Sequence, residues 1–382
     1  MKKVYLDWAA SAPVKPEVQK IVSDFLKLDI GNPSSIHSFG QAERKIIDDT
    51  KLKIATWLGV EAREVYFSSG ATESINWAIQ GYASTVPDSY IISTPAEHKA
   101  VLAAIAFCQT MGAKAELLPV DKFGRIDIRH LEQLLEKKPN SLVSIIYVNN
   151  ETGNIEDIST IGTLIHKRFP QARLHIDATQ ALGWLDCNQK NLHYHYLTGA
   201  GHKLGGLKGI GILIIKKGYE EPGLIHGGGQ EFDLRGGTEN VPGILSFQVV
   251  AKDFSESQKQ HIVHLYKTLL GKIKKISDFI INSDLDNCVK HIINVAFAGI
   301  DGEALMMSMD LRGFAISTGS ACTTGATSAS HVLLASGISE ATAKGSIRIS
   351  FGPDTELEDI NDFGNALLEE VVRLRKISGY GI

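Results

Sequence analysis

The sequence of 382 residues is poor in cysteine: Cys108, Cys187, Cys288 and Cys322 are widely scattered and form no C-x-x-C pair. That spacing excludes a disulfide framework and the usual structural zinc patterns, and leaves reduced thiols as the expectation. Long hydrophobic runs are missing too. No apolar stretch is long enough to span a bilayer, and Asp7 interrupts the N-terminus before a signal-peptide core can form, so a soluble, cytoplasmic protein with no membrane partner is expected. Neither sign of charge dominates, with 39 basic and 43 acidic side chains for a net charge of -4. No direct nucleic-acid partner is expected from that balance. Internal repeats, low-complexity tracts and Pro-rich linkers are also lacking.

What is present is an ordinary globular composition, 43% hydrophobic and 21% charged, in a chain long enough for two domains. Strand-like runs at Glu64–Phe67, Tyr90–Ser93, Leu142–Val148, Arg173–Asp177 and Gly211–Ile215 alternate with helical stretches, which predicts an α/β fold around a mostly parallel sheet. Leu142–Val148 reads as a continuous apolar run, as a strand covered on both faces should. A polar, helix-prone segment near Asp253–Lys275 leaves this unit, and shorter strand-like runs at Asn294–Phe297 and Ser346–Ser350 place a smaller domain beyond a boundary near residue 250. Cys108 falls in an apolar helical stretch while Cys187 and Cys288 flank strand-like segments, so all three read as core packing.

Five segments carry chemistry. Gly199-Ala-Gly-His-Lys-Leu-Gly-Gly sets Lys203 among residues with almost no side chain, directly after the strand-like Tyr194–Leu197. A shielded lysine there suits a Schiff base with a planar aldehyde cofactor, and a solvated lysine in a Gly-rich turn fits the motif equally well. Asp177 ends an apolar run, where a carboxylate either pairs with a ring nitrogen or caps the next helix. Ser68-Ser-Gly-Ala-Thr-Glu-Ser precedes a helical stretch, so Thr72 either helps to hold an anion at a helix N-terminus or forms a simple cap. His98 follows a strand, as a ring-stacking or proton-moving imidazole or as a buried structural one. Around Cys322 the residues Ser317–Ser330 are nearly all small or hydroxylic. A core cysteine has no need of such surroundings, whereas a thiol that must reach a substrate does.

Taken in order, Tyr5-Leu-Asp, Gly31-Asn-Pro-Ser-Ser, Ser69-Gly-Ala-Thr-Glu-Ser, Glu97-His-Lys-Ala, Val148-Asn-Asn-Glu-Thr-Gly, Asp177-Ala-Thr-Gln, Gly201-His-Lys and Ser346-Ile-Arg-Ile-Ser resemble the cysteine desulfurases of the NifS/IscS type. The resemblance covers nearly the whole chain. It implies pyridoxal-phosphate-dependent transferase fold type I, with a large domain (14–250) built on a seven-stranded sheet. Residues 1–13 and 251–382 then form a small α+β domain that carries the catalytic cysteine. It also implies pyridoxal 5'-phosphate as cofactor, Lys203 as the Schiff-base lysine, Asp177 on the pyridine nitrogen, Gln180 on the ring hydroxyl and His98 stacked on the ring. Ala71, Thr72, Asn150 and His202 complete the cofactor set. Thr238, in Arg235-Gly-Gly-Thr, is implied to reach the phosphate of a second subunit, so a homodimer is expected. Asn32, Asn150 and Arg348 match substrate-side positions, with Arg348 offering a planar fork for an amino-acid carboxylate.

The reaction implied is conversion of L-cysteine to L-alanine, with Lys203 and His98 moving protons and Cys322 taking the sulfur as a persulfide for a protein acceptor in iron–sulfur cluster assembly or thiolation. Ala200 stands where many relatives carry a phosphate-binding serine, removing a hydrogen bond worth about 1.5–3 kcal/mol unless Thr198 supplies it. Trp8 and Ser11-Ala12 replace more usual residues in a segment that borders the active site in the family, and the chain stops at Ile382 without the longer tail some relatives use for docking. The competing readings are a selenocysteine lyase or other amino-acid lyase, a transaminase, or a non-catalytic sulfur carrier. Cys322 argues against the transaminase, and joint retention of Lys203, Asp177, His98, Arg348 and Cys322 argues against the carrier.

Overall fold

The computed structural model describes residues 2–28, 31–219, 221–318 and 329–380. Twelve strands occur among them: β1 (Val4–Tyr5), β2 (Val65–Ser68), β3 (Tyr90–Ser93), β4 (Lys114–Leu117), β5 (Leu142–Ile146), β6 (Arg173–Asp177), β7 (Tyr196–Ala200), β8 (Gly211–Ile215), β9 (Phe279–Ile281), β10 (Ile292–Phe297), β11 (Phe314–Ala315) and β12 (Ser346–Ser350). Seven of them form one sheet in the order β2-β8-β7-β6-β5-β3-β4. Only β8 runs antiparallel to its two neighbours; the other pairings are parallel. Helices cover both faces, so every residue of β5 is buried, as its unbroken aliphatic run requires. One face packs on a large cluster that includes Ile54, Leu135 and Phe247, and the other on Trp77, Tyr82 and Val101.

The five strand-like runs expected in the first two-thirds are all present. Two further strands were not read correctly. Lys114–Leu117 alternates poorly because β4 is an edge strand and is only partly buried. Gly199 and Ala200 belong to β7 rather than to the loop after it, because the turn after β6 packs tightly on this strand: a Cβ at Gly199 would sit 2.3 Å from the Leu182 side chain. The buried positions of Cys108, Cys187 and Cys288 agree with the core-packing expectation.

A second sheet, in the order β12-β10-β9, is antiparallel and packs with helices Glu256–Ile273 and Leu357–Ser378 around its own apolar cluster. Val4 and Leu6 join that cluster, since β1 pairs in parallel with β11 and Asp7 bridges to Ser350 on β12. The N-terminal segment then crosses to the large sheet, where the Ala12 N–H donates to the carbonyl of His202 at 2.9 Å. Both sheets thus frame one crevice.

Candidate active site

That crevice is a cavity of about 730 Å³ lying beyond the C-terminal ends of β3, β5, β6 and β7, where side chains from parallel strands converge. Asp177, the last residue of β6, is buried, and its Oδ1 accepts the Thr179 N–H at 3.0 Å. It caps the following turn rather than a helix, and it also lines the cavity. Lys203 closes a short 3-10 turn after β7. Its ammonium donates to the carbonyls of Ala9 at 2.6 Å and Ala10 at 2.8 Å, so the half-buried side chain is held in place. Gln180 donates to the same Ala9 carbonyl at 2.8 Å.

His98 is the N-cap of helix Lys99–Thr110, with Nδ1 accepting the Ala100 N–H at 3.1 Å. The neutral ring therefore carries its proton on Nε2. Burial pushes its pKa below the ordinary histidine value; Asp177 opposes that shift while Lys203, His331 and Lys99 add to it. His202 is driven further, to about 4, by burial and then by Lys203 and Lys208; its Nδ1 lies 3.2 Å from the Ser11 hydroxyl.

Helix Ala71–Thr85 points its N-terminus at the cavity, with Ala71 and Thr72 among the lining residues. The capping expectation is corrected here. Gly70 is the N-cap and offers no side chain, while Glu73 folds back to accept the Ser69 N–H at 3.0 Å and the Arg235 Nε–H at 3.0 Å. The first N–H groups of this helix thus have no side-chain cap, which is the state that suits an anion.

Arg348, on β12, forms the opposite wall. Its fork is already engaged, donating to Asp7 Oδ1 at 2.7 Å and to the Asn150 carbonyl at 2.9 Å. Asp7, in Tyr5-Leu-Asp, has no role legible from the sequence, since the arginine it holds lies 341 residues away.

Seven buried side-chain atoms among the described residues have no hydrogen-bond partner, and three of them, Asn150 Oδ1, Thr179 Oγ1 and Arg348 Nε, belong to residues lining this one cavity. Buried polar atoms are rarely left orphaned, so this concentration marks a place for a polar ligand. An uncapped helix N-terminus, a buried carboxylate and a lysine, grouped in a cavity of this size, fit a phosphorylated aldehyde with a basic ring.

Some expected residues stand elsewhere. Asn32 is exposed on a loop, accepting the Ser34 N–H, and does not line the cavity. Thr238 lies in a neighbouring cleft of about 170 Å³ that shares Ser69 and Gly209 with the main one. Its loop packs back-to-back on Gly227: a Cβ at Gly236 would meet the Gly227 Cα at 2.6 Å, so both glycine-rich segments need their bare backbones. Thr198 does not stand in for a serine at Ala200, because its hydroxyl faces His175 Nε2 at 3.2 Å within the sheet. Trp8 packs on Gly352 rather than at the cavity, while Ser11 does line it. Cys322 lies outside the described residues.

The fold and the cavity define a member of the class-V aminotransferase family: the family model described as Aminotransferase class-V matches residues 4–363, and the chain belongs to it. Within that family its relatives are cysteine desulfurases. The chain is 38% identical to "Cysteine desulfurase IscS" of Dictyoglomus turgidum over 99% of its own length and 97% of the relative's. Among solved structures it is similar to a "NIFS-LIKE PROTEIN", at 32% identity and a TM-score of 0.90 over 97% of this chain and 100% of that one. It is also similar to "SspA in complex with cysteine", at 34% identity and a TM-score of 0.81, covering 92% and 99%.

Proposed function

We propose that the chain is a cysteine desulfurase that binds pyridoxal 5'-phosphate in this cavity and moves sulfur from L-cysteine to Cys322. The observation that carries the reading is the gathering of Lys203, Asp177, His98 and Arg348 around one cavity rich in unpartnered polar atoms. In this reading Lys203 holds the aldehyde carbon, Asp177 the ring nitrogen and the N-terminus of helix Ala71–Thr85, with His202, the phosphate. When bound, the cofactor supplies an electron sink for the substrate α-carbon.

The residues of the chain then divide the remaining work. Arg348 and Asn150 orient the substrate carboxylate. The Lys203 Nζ, steered by the Ala9 and Ala10 carbonyls, takes the α-proton. His98, neutral with its proton on Nε2, exchanges that proton with the substrate thiol. Sulfur transfer forms one S–S bond at Cys322 and breaks the substrate C–S bond, so cysteine and an enzyme thiol become alanine and an enzyme persulfide. The large (14–250) and small (1–13, 251–382) domains, a homodimer with Thr238 serving the partner's phosphate, a sulfur-acceptor protein and a cytoplasmic location belong to the same reading. No helix among the described residues is long and apolar enough to cross a membrane.

The test is alanine and persulfide formation from L-cysteine by the purified protein, beside Cys322→Ala, with the cofactor spectrum of both. The reading expects the variant to keep its spectrum and lose turnover. Equal turnover by both proteins removes Cys322 as nucleophile, and absence of alanine from the wild type removes the desulfurase assignment.

A further inference from the structure

Both flanks of the segment that carries Cys322 are fastened to the cavity wall. Upstream, Ser317 and Arg348 exchange main-chain hydrogen bonds at 3.1 and 2.6 Å. Downstream, His331 Nε2 meets the carbonyl of Glu97 at 2.9 Å, next to His98, and the Ser330 hydroxyl donates to Glu151 Oε2. Ser330 is also the N-cap of helix His331–Ala335, accepting the Leu333 N–H at 3.2 Å, so its one donor and an acceptor site are both committed. Glu151 follows Asn150, whose carbonyl holds Arg348, and Glu151's own carbonyl accepts from Asn294 at 3.2 Å. One residue therefore joins the substrate-carboxylate wall to the downstream flank of the thiol.

We propose that Glu151 is a positioning residue for sulfur transfer, fixing the downstream flank of the Cys322 segment through Ser330. The proposal rests on the reading of Cys322 as the sulfur acceptor. Packing alone does not call for a carboxylate here. Glu151 is only 3% exposed, and a buried carboxylate is costly unless its charge is used. Its pKa is raised to about 7 by burial, against the Ser330 hydrogen bond and the positive charges of Arg348 and Lys99, with Asp7 on the far side of Arg348. The ionised form accepts the Ser330 proton most strongly, so the attachment tightens as pH rises through about 7. Holding both flanks reduces the ordering still needed when the thiol meets the substrate sulfur.

The experiment compares wild type, Glu151→Ala, Ser330→Ala, the double variant and Glu151→Gln as holoenzymes. Alanine formation is measured across L-cysteine concentration and pH, together with the rate of Cys322 alkylation by iodoacetamide in the absence of substrate. The other three cysteines are buried, so alkylation reports on Cys322. Glu151→Ala and Ser330→Ala are expected to lower kcat roughly tenfold, the scale of one hydrogen bond to a charged group, with KM nearly unchanged. Both are expected to change the alkylation rate several-fold, on the order of that same loss, and the double variant should be no worse than either single one. Wild-type kcat should inflect near pH 7, and Glu151→Gln, which keeps a hydrogen bond without the charge, should restore much of the low-pH rate and flatten that inflection. Unchanged alkylation, additive losses, or a KM that rises as kcat falls overturns the proposal. A wild type that makes no alanine overturns the desulfurase reading instead, while the alkylation comparison still decides whether Glu151 holds the flank.

Discussion

The two walls of the cavity are built differently. On the large-sheet side, His98 and Asp177 are fixed by contacts two residues away, each accepting the backbone N–H of the turn it starts. On the small-sheet side, Arg348 is fixed by Asp7 and Asn150, 341 and 198 residues distant, and Ser330 by Glu151, 179 residues distant. Lys203 belongs to both, since its turn is local but its ammonium is held by Ala9 and Ala10. A locally fixed group takes its geometry chiefly from the turn or helix it starts. A group fixed by distant partners can be loosened by changing a residue that never touches the ligand.

Three substitutions and one titration break or sharpen this contrast. Lys203→Ala should cost the most, roughly 10²–10⁴-fold in alanine formation, as expected when a proton-moving group is lost. It should also abolish the cofactor's visible absorption band. Asp7→Asn comes next. It leaves the buried Arg348 without its ion-pair partner, so KM for L-cysteine should rise about tenfold, equivalent to about 1.4 kcal/mol, with the absorption band intact. An unchanged KM would mean that Arg348 keeps its orientation without Asp7.

His98 provides a smaller, electrostatic test. NMR titration should place its imidazole below the ordinary value of about 6.5, so that its neutral form prevails through neutral pH. In Lys203→Ala the same titration should move upward, because a positive neighbour has been removed. The smallest effect concerns Glu156, raised to about 7 chiefly by burial, with hydrogen bonds from Ile126 and Asp157 opposing. Its folded pKa lies above its unfolded one, so its contribution to stability is present at low pH and lost as pH rises through about 7. Glu156→Gln should therefore flatten the fall in Tm between pH 5 and pH 8, measured by calorimetry.

The same contrast explains what could be read from the sequence. Asp177, His98 and Lys203 are legible because each sits where a strand-like run ends, and a parallel sheet delivers those ends to one edge. The mostly parallel arrangement followed from strand-like runs alternating with helical stretches, together with the unbroken apolar run of β5, which pairs in parallel on both sides. Asp7, Glu151 and the carbonyls of Ala9 and Ala10 gave no such signal, since nothing local marks a backbone oxygen or an acid whose partner is hundreds of residues away. Small residues misled in one place: Gly199 and Ala200 look like loop but are strand, because close packing against Leu182 outweighs their weak strand propensity. The resemblance to a family supplied Gln180, Asn150 and Thr238, which composition and periodicity do not single out.

The pairing of β1 with β11 also bears on how the molecule is made. Val4 and Tyr5 leave the ribosome about three hundred residues ahead of their partners Phe314 and Ala315. At roughly 5–20 residues per second, the first strand waits on the order of 15–60 seconds for its mate. Throughout that interval the Ala9 and Ala10 carbonyls are not yet anchored from the β12 side, while the turn bearing Lys203 has already been synthesised. Completion of the lysine's surroundings is therefore a late event in biogenesis, and a nascent chain halted before residue 314 carries the large sheet without a finished pocket.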